Sequence, residues 1–341
     1  MVRRNQSNLI VQTKKGLYCP PADVYLDPKL PVDKAVITHA HADHARWGMK
    51  EYWMTPGSRP ILEYRVANNK GDQKFHEVPF YQEFGFNGVS FSFHPAGHVP
   101  GSAQIRVEYQ GEVWVNTGDW KYQNDGLSHP FEPVECDVFI TETTFGLPVY
   151  RWESNDVVLD DIVEWYQANV KNGLCSILGT YALGKAQRLI YGLQKRGVKM
   201  FCHGAIYESN KRIREAGFDL PEVPKASREI DRSEYRDAMI VSVPSAFGTS
   251  WMKKFNPYSL AFASGWMQAR GTRRRKGADR GFVMSDHADW NSLLRAIKET
   301  GASKVITNHG YTSQVARFLS EEWGLETDEF RGHFQRSDDE D

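Results

Sequence analysis

The sequence has few cysteines, no long apolar run and no surplus of charge of either sign. Its four cysteines, Cys19, Cys136, Cys175 and Cys202, are far apart and form no CxxC pair, which favours buried thiols in a reducing cytoplasm over a disulfide framework. Neither a membrane-spanning apolar segment nor the apolar part of a signal peptide is present, so we expect a cytoplasmic protein without a membrane span. A net charge of −1 implies that any nucleic-acid surface is a local patch.

The 341 residues suffice for one large domain or two ordinary ones, and 40% of them are hydrophobic. Short apolar segments predict strands in the first part of the chain, including a hairpin of Ala103–Tyr109 and Glu112–Asn116 around Gln110 and Gly111. An amphipathic helix is then predicted at residues 156–172, followed by alternating short strands and helices. This alternation predicts an α/β section with a second, mostly parallel sheet.

Four candidate metal ligands lie within six residues: His39, His41, Asp43 and His44. The apolar residues 35–37 before them predict a buried strand, so the loop after that strand presents all four side chains together. In an extended segment His39 and His41 point the same way and can hold one ion, whereas Asp43 and His44 follow where the chain turns. Imidazole suits zinc, manganese or iron. A histidine-rich surface loop is the disfavoured alternative, because later segments supply further ligands.

Polar side chains recur where later predicted strands end. His98 follows one strand, Asp119 follows the hairpin, and Glu142 and His309 each end a buried strand. One such histidine is more often a surface or core residue, but the repetition argues against coincidence. His98 and Asp119 would complete a dinuclear site in which Asp119 bridges two cations, and His309 would be the last ligand of the second ion. Asp27, after an earlier strand, is either a turn residue or a support for a ligand histidine.

Two features indicate phosphate binding. Residues 179–185 form a glycine-bearing loop between a predicted strand and a predicted helix, which can cradle an anion, although such a loop alone is a weak indication. Residues 270–280 contain six basic side chains and one acidic one. A solvated loop would explain that run by itself, but it precedes a further polar cluster after a strand, residues 284–290. A basic loop beside a metal site suits a phosphodiester backbone.

The pattern His-x-His-x-Asp-His, with the later His98, Asp119 and His309, resembles the metallo-β-lactamase superfamily. Glu142, His287 and His309 resemble the three further motifs of its β-CASP branch, which cuts nucleic acids. His309 departs from the DNA cross-link repair enzymes of that branch, which usually lack this histidine. Ribonuclease J and the pre-mRNA cleavage endonuclease have it, and its presence here favours two metals.

Within the β-CASP branch, the resemblance extends over nearly the whole chain. Residues 179–185, 264–266 and 285–287 are similar to the DNA cross-link repair nucleases. The chain length and residues 97–103 and 117–120 look most like the bacterial ligase-associated DNA exonucleases.

The resemblance implies an α/β protein, a four-layer αβ/βα metallo-β-lactamase sandwich with an inserted β-CASP domain. Residues 1–150 and 288–341 would form the two parts of the metallo-β-lactamase domain. Residues 151–287 would form the β-CASP domain, and the active site would lie in the cleft between the two domains.

Two divalent transition-metal ions, zinc or manganese, are the cofactors that the resemblance implies. One ion would be held by His39, His41 and His98. The other would be held by Asp43, His44 and His309, and the two ions would share Asp119.

The resemblance also assigns expected roles to the remaining residues. Asp43 would orient the attacking water as general base, His287 would contact the scissile phosphate, and Glu142 would support a ligand or His287 by a hydrogen bond. The expected substrate contacts are Thr180, Lys185 and Ser264 at a terminal phosphate and Arg273, Arg274 and Arg275 along the strand beyond it.

The expected function is a metal-dependent DNA exonuclease that works from a 5′ end in DNA repair. Its partner would be DNA, with a functional link to an ATP-dependent DNA ligase and a helicase. An RNA-processing nuclease of the same fold remains open, and matched DNA and RNA strands would separate the two. The complete ligand set disfavours a catalytically silent nucleic-acid-binding scaffold, and the long insert and basic loop disfavour a small-molecule hydrolase.

Overall fold

The structure is a computed structural model that describes residues 8–68, 71–269 and 277–330. In these residues the strands form three sheets. The first sheet has six strands, whose order across the sheet follows the chain. They are β1 (Val11–Thr13), β2 (Gly16–Cys19), β3 (Val24–Leu26), β4 (Lys34–Val36), β5 (Glu51–Met54) and β6 (Lys74–Glu77), with helix α1 (Arg59–Val66) between β5 and β6.

The second sheet has seven strands and includes the predicted hairpin. The strands are β7 (Glu83–Phe86), β8 (Val89–Pro95), β9 (Ala103–Tyr109), β10 (Glu112–Asn116), β11 (Val138–Thr143), β17 (Lys304–Gly310) and β18 (Glu326–Phe330). Strands β9 and β10 have the predicted bounds, and both residues of their loop, Gln110 at φ 53° and Gly111 at φ 81°, are left-handed, as a tight hairpin turn requires. Across the sheet the order is β18-β17-β11-β10-β9-β8-β7.

The third sheet lies wholly between β11 and β17 in the chain. Its strands are β12 (Cys175–Gly179), β13 (Met200–Cys202), β14 (Met239–Ser242), β15 (Tyr258–Ala263) and β16 (Arg280–Phe282), in the order β13-β14-β12-β15-β16. Every pairing between these strands is parallel, which confirms the predicted parallel sheet. The helices of this section are α2 (Asn155–Lys171), α3 (Lys185–Gln194) and α4 (Gly204–Glu215), with short 3-10 turns at Arg232–Tyr235, Pro244–Ala246, Ser250–Phe255 and Gly265–Gln268.

The first two sheets pack face to face and share one apolar core. Leu26 and Val36 of the first sheet meet Phe91, Ile105 and Ile140 of the second in that core. Burial of such alternating apolar side chains is what holds two sheets together.

Helices cover the outer faces of the two sheets. Helix α1 packs on the first sheet, and α5 (Trp290–Glu299) and α6 (Thr312–Trp323) pack on the second. The layer order is therefore helix, sheet, sheet, helix, and the predicted αβ/βα sandwich is confirmed. The chain leaves the second sheet after β11 and returns as β17 beside it, which agrees with an insertion, while the domain boundaries at 150 and 288 stay a prediction.

Helix α4 was not predicted from the sequence. Its buried positions Ile206, Asn210 and Ile213 have helical spacing, but the polar residue in the middle obscures the apolar stripe. Within the described part of the chain no helix has both the length and the apolar character needed to cross a membrane.

Candidate metal centre

The predicted ligands lie in loops that leave neighbouring strands. The loop after β4 carries His39, His41 and Asp43, the loop after β8 carries His98, and the loop after β10 carries Asp119. Strand β9 pairs with both β8 and β10, so the loops that carry His98 and Asp119 lie in the same part of the second sheet. The face-to-face packing of the two sheets brings the loop after β4 to them.

Four ligand atoms converge on one point. His41 Nδ1 lies 3.0 Å from His39 Nε2 and 3.1 Å from His98 Nε2, and Asp119 Oδ2 lies 3.6 Å from His39 Nε2 and 3.8 Å from His98 Nε2. Ligands about 2.1 Å from a tetrahedral zinc ion are about 3.4 Å from one another. The four side chains therefore fit a zinc-sized ion with three nitrogen ligands and one oxygen ligand.

Each imidazole of the centre uses its other ring nitrogen for a contact with an oxygen. The pairs are His39 Nδ1 with Thr38 Oγ1 at 3.0 Å, His41 Nε2 with Leu183 O at 3.2 Å, His98 Nδ1 with Asp286 O at 2.8 Å, and His44 Nδ1 with Asp27 Oδ2 at 2.8 Å. A carbonyl oxygen only accepts, and the Thr38 hydroxyl donates its own proton to Asp27, so in His39, His41 and His98 the N–H lies on that side and the lone pair is on the nitrogen facing the centre.

Burial keeps the first three imidazoles neutral. It lowers the pKa of His39 and His41, and with the neighbouring His287 and His41 it lowers the pKa of His98 to about 3. Neutral imidazole is the form that binds a metal, so the protein holds these ligands ready for an ion.

A second group forms around His44. Its Nε2 atom lies 3.5 Å from Asp43 Oδ2 and 3.4 Å from Asp119 Oδ2, so one oxygen of Asp119 faces both groups. Burial opposes a charge on His44, but Asp119, Asp43 and Asp27 together raise its pKa well above the usual value. An ion at this position must therefore displace a proton from His44.

Asp27 supports the second group, as one of the two predictions for this residue expected. Besides its contact with His44, its Oδ1 accepts a hydrogen bond from the Thr38 backbone N–H at 2.8 Å, and its Oδ2 accepts one from the Thr38 hydroxyl at 2.6 Å. Asp27 thus fixes both the ring of His44 and the start of the ligand loop.

His309 is not among the convergent ligand atoms described above. It lies at the end of β17 with a left-handed backbone (φ 54°), its side chain is exposed, and its carbonyl accepts a hydrogen bond from Thr143 Oγ1 at 2.6 Å. Among the described residues, none of the clusters of close ligand atoms includes His309. Its place as a metal ligand stays a prediction.

His287 and Glu142 form a buried pair beside the centre. His287 Nδ1 lies 2.7 Å from Glu142 Oε1, and the ring centroid of His287 lies 4.8 Å from that of His98. Burial disfavours the charged ring, but Glu142 and Asp119 outweigh it and raise the pKa of His287 to about 10. The ring is therefore protonated at neutral pH and can donate a hydrogen bond. The hydrogen bond expected for Glu142 is present.

The predicted substrate contacts lie in different surroundings. Thr180 follows β12, is fully buried, and its hydroxyl has no hydrogen-bond partner among the described residues. Ser264 caps a 3-10 turn by accepting a hydrogen bond from Trp266 N–H at 3.3 Å. Lys185 is buried with its ammonium group 3.0 Å from Asp286 Oδ1. Arg273, Arg274 and Arg275 lie outside the described residues.

The sequence did not single out a cavity of about 480 Å³ that opens onto the centre. Its lining includes His41, Asp43 and Arg46 of the ligand loop, together with Tyr64 and Arg212. The guanidinium of Arg212 lies 4.9 Å from the ring centroid of Tyr64, whose side chain is exposed. Tyr64 lies on helix α1 and Arg212 on helix α4. Their helical positions are the sequence feature that could have indicated this cavity, but the sequence does not predict α4.

Comparison with known proteins finds relatives with names from nucleic-acid metabolism. It is 28% identical over 319 residues to a protein named probable DNA ligase from Opitutus terrae; the alignment covers 93% of this chain but only 30% of that protein. It is 26% identical over 361 aligned residues to an RNase J-like protein from Methanocaldococcus jannaschii, covering 86% of this chain and 85% of that protein. No family model matches the chain.

The fold is also found in a solved structure, a protein of unknown function from Enterococcus faecalis. That structure matches with a TM-score of 0.58 and 11% identity over 88% of this chain and 79% of that one. Homologues of the chain further include cleavage and polyadenylation specificity factor subunit 3 from Dictyostelium discoideum, 33% identical over 51% of this chain, and a DNA cross-link repair protein from Arabidopsis thaliana, 25% identical over 79% of this chain. The RNase J-like protein, the specificity factor subunit and the cross-link repair protein are metallo-β-lactamase proteins of the β-CASP branch, and this chain is their homologue.

Proposed function

We propose that the chain is a metal-dependent exonuclease that hydrolyses phosphodiester bonds in DNA from the 5′ end, in DNA repair. The observation that carries this proposal is the arrangement of Asp119, whose Oδ2 atom faces His39 and His98 on one side and His44 on the other. One carboxylate oxygen shared between two groups of ligands is the arrangement that a pair of metal ions requires.

Two bound ions would lower the pKa of a water molecule towards neutrality and neutralise charge on the phosphate. Asp43 has a side chain 42% exposed and lies beside His44, so it can accept the proton of a water that enters from the cavity. His287 is held by Glu142 through Nδ1, which leaves Nε2 for the scissile phosphate or the departing oxygen. The protein's own residues thus supply the base and the donor of an in-line hydrolysis.

DNA is favoured over RNA because the alignment to the ligase-named relative takes in 93% of this chain. A nuclease acting with a ligase would remove damaged ends before the nick is sealed. RNA processing is the second candidate, supported by the RNase J-like relative, which aligns over most of both chains.

Labelled strands test both the substrate and the polarity. We expect release of label from the 5′ end of DNA before the 3′ end, and faster digestion of DNA than of RNA with the same sequence. The assay uses single and double strands, with 5′-phosphate and 5′-hydroxyl ends, and protein with and without a chelator. Faster digestion of RNA would favour the second candidate, and release from the 3′ end first would contradict the polarity.

The cavity beside the centre would hold the nucleic-acid strand. Arg46 on the ligand loop is exposed, and both it and Arg212 line a cavity that includes Asp43. Guanidinium groups bind phosphates by paired hydrogen bonds, and an exposed ring such as Tyr64 can stack on a base. The cavity therefore offers contacts to both the backbone and the bases of a strand that reaches the ions.

Arg46→Ala should weaken binding to all sequences alike, because phosphate contacts do not depend on the base. The slope of log affinity against log salt should fall by up to about one unit. Binding measured at several salt concentrations checks this, with Arg317→Ala as control, since Arg317 is exposed on α6 and does not line the cavity. An unchanged slope in Arg46→Ala would show that Arg46 does not contact the strand.

A further inference from the structure

The segment that leads into helix α3 contacts His41 directly and pairs with the residue that supports His98, although it belongs to the inserted section. Leu183 O accepts a hydrogen bond from His41 Nε2 at 3.2 Å. Two residues later, Lys185 Nζ lies 3.0 Å from Asp286 Oδ1, and the backbone oxygen of Asp286 accepts a hydrogen bond from His98 Nδ1 at 2.8 Å. Two of the three imidazoles of the first group therefore depend on this short segment for their orientation.

The ion pair of Lys185 and Asp286 is buried. Both residues are only 3% exposed, so neither charge is well solvated by bulk water. A buried carboxylate that loses its cation must move or take up a proton, because an isolated charge is strongly disfavoured away from water. The backbone of Asp286, and with it the acceptor for His98, is thus fixed by the charge on Lys185.

Close packing at Gly184 holds the same segment against the centre. Gly184 has φ 89°, and a Cβ atom there would overlap Val99 Cγ1 and lie 3.1 Å from Asp286 Oδ2. Only glycine allows the chain to pass so close to both the His98 loop and Asp286.

One turn further along α3, Arg188 contacts the backbone of the His98 loop. Its Nη2 atom is 3.0 Å from Asp125 Oδ2 and donates to the carbonyls of Gly97 and His98, both at 3.4 Å. The first turn of α3 therefore reaches the first metal group through contacts that are independent of Asp286.

Among the described residues, His44 of the second metal group has no such link. His44 is oriented by Asp27, which lies in the first sheet region of the chain, and the described contacts of His44 are with Asp27, Asp43, Asp119, Thr38 and the ring of His39. The described contacts of the inserted section therefore brace His41 and His98 and not His44.

We propose that Lys185 is a positioning residue for the first metal ion, acting through Asp286 on His98, and not a contact to a terminal phosphate. The role rests on the metal centre of the proposed nuclease. It makes the inserted section part of the metal centre, in addition to its place beside the substrate. Lys185→Met removes the charge and keeps most of the volume, so it isolates this role.

The test measures metal binding and not activity. Metal-free full-length protein is titrated with Co²⁺, whose visible absorption reports the geometry of its ligands. In a His44→Ala background, which retains the first group, Lys185→Met should lower Co²⁺ affinity by roughly 10–100-fold and change the absorption bands, as loss of a support to a ligand histidine does. In a His39→Ala background, which retains the second group, Lys185→Met should leave the affinity unchanged.

Asp27→Asn is the matched control, because Asp27 supports the other group. It should show the opposite selectivity, with weaker Co²⁺ binding only in the His39→Ala background. Asp286→Asn should reproduce the effect of Lys185→Met, and the double variant should be no weaker than either single one, since both remove the same ion pair. If the Lys185→Met variant does not fold, the same titration of the Asp286→Asn variant tests the proposal.

Two results would overturn this role. Equal loss of affinity in both backgrounds would show general destabilisation, and unchanged affinity with a lost preference for 5′-phosphate ends would make Lys185 a phosphate contact. Failure of the unaltered chain to bind metal would overturn the proposed function together with this role. Normal binding by the unaltered chain, without a selective loss in the variants, would overturn this role alone.

Discussion

Asp119→Ala should abolish nuclease activity and leave a folded protein. A single oxygen of Asp119 lies 3.6 Å from His39 Nε2, 3.8 Å from His98 Nε2 and 3.4 Å from His44 Nε2. No other described carboxylate has an oxygen within these distances of both groups. Its loss removes a ligand from each ion position and the negative charge between them, so the bound water would no longer be activated.

Metal content and activity measured on the same samples check this result. The metal content measured by elemental analysis should fall from two ions per chain to one or none. The circular dichroism spectrum should stay that of the unaltered protein. Asp33→Ala is the control, because Asp33 is a highly exposed carboxylate paired only with Lys50. The absence of bound metal from the unaltered protein, or full activity in the presence of a chelator, would refute the metal-dependent function.

His287→Ala should keep both ions and slow cleavage by roughly 10²–10⁴-fold, the usual effect of losing a group that donates a proton or hydrogen bond to the transition state. The ring is not among the four convergent ligands, and its Nδ1 is occupied by Glu142. The loss should therefore fall on the rate under saturating substrate and not on metal content.

Glu142→Gln should have a weaker form of the same effect. It keeps the shape of the Glu142 side chain but removes the charge that stabilises the protonated ring of His287. The loss of cleavage rate should therefore be smaller than for His287→Ala, and the two losses should not add in the double variant. His129→Ala, at an exposed histidine between Phe80 and Phe218, is the control. Loss of metal from His287→Ala would mean that this ring is a ligand.

The sequence predicted those parts of the centre that depend on side-chain chemistry. His39, His41 and His98 can be identified from the sequence because each is a histidine that follows a predicted strand. The structure brings their ligand atoms within 4.8 Å of one another. The resemblance implies the sandwich, which the structure confirms.

The supports of the ligands were less visible, for a physical reason. His41 and His98 are oriented by backbone carbonyls that lie 142 and 188 residues away in the chain. Every residue has a carbonyl, so the residue types at Leu183 and Asp286 carry no sign of this role. Lys185 was expected to face an anion of the substrate, but the fold provides an anion of its own in Asp286.

The separation of these contacts along the chain has a consequence for folding. All ligands of the first group have been synthesised by residue 119, yet the acceptors for His41 and His98 follow at residues 183 and 286, and β17 must still pair with β11. Contacts between distant residues form late, because a long loop must first be closed. We therefore expect the histidines to reach their final orientation, and the centre its full affinity for metal, only after these later contacts have formed.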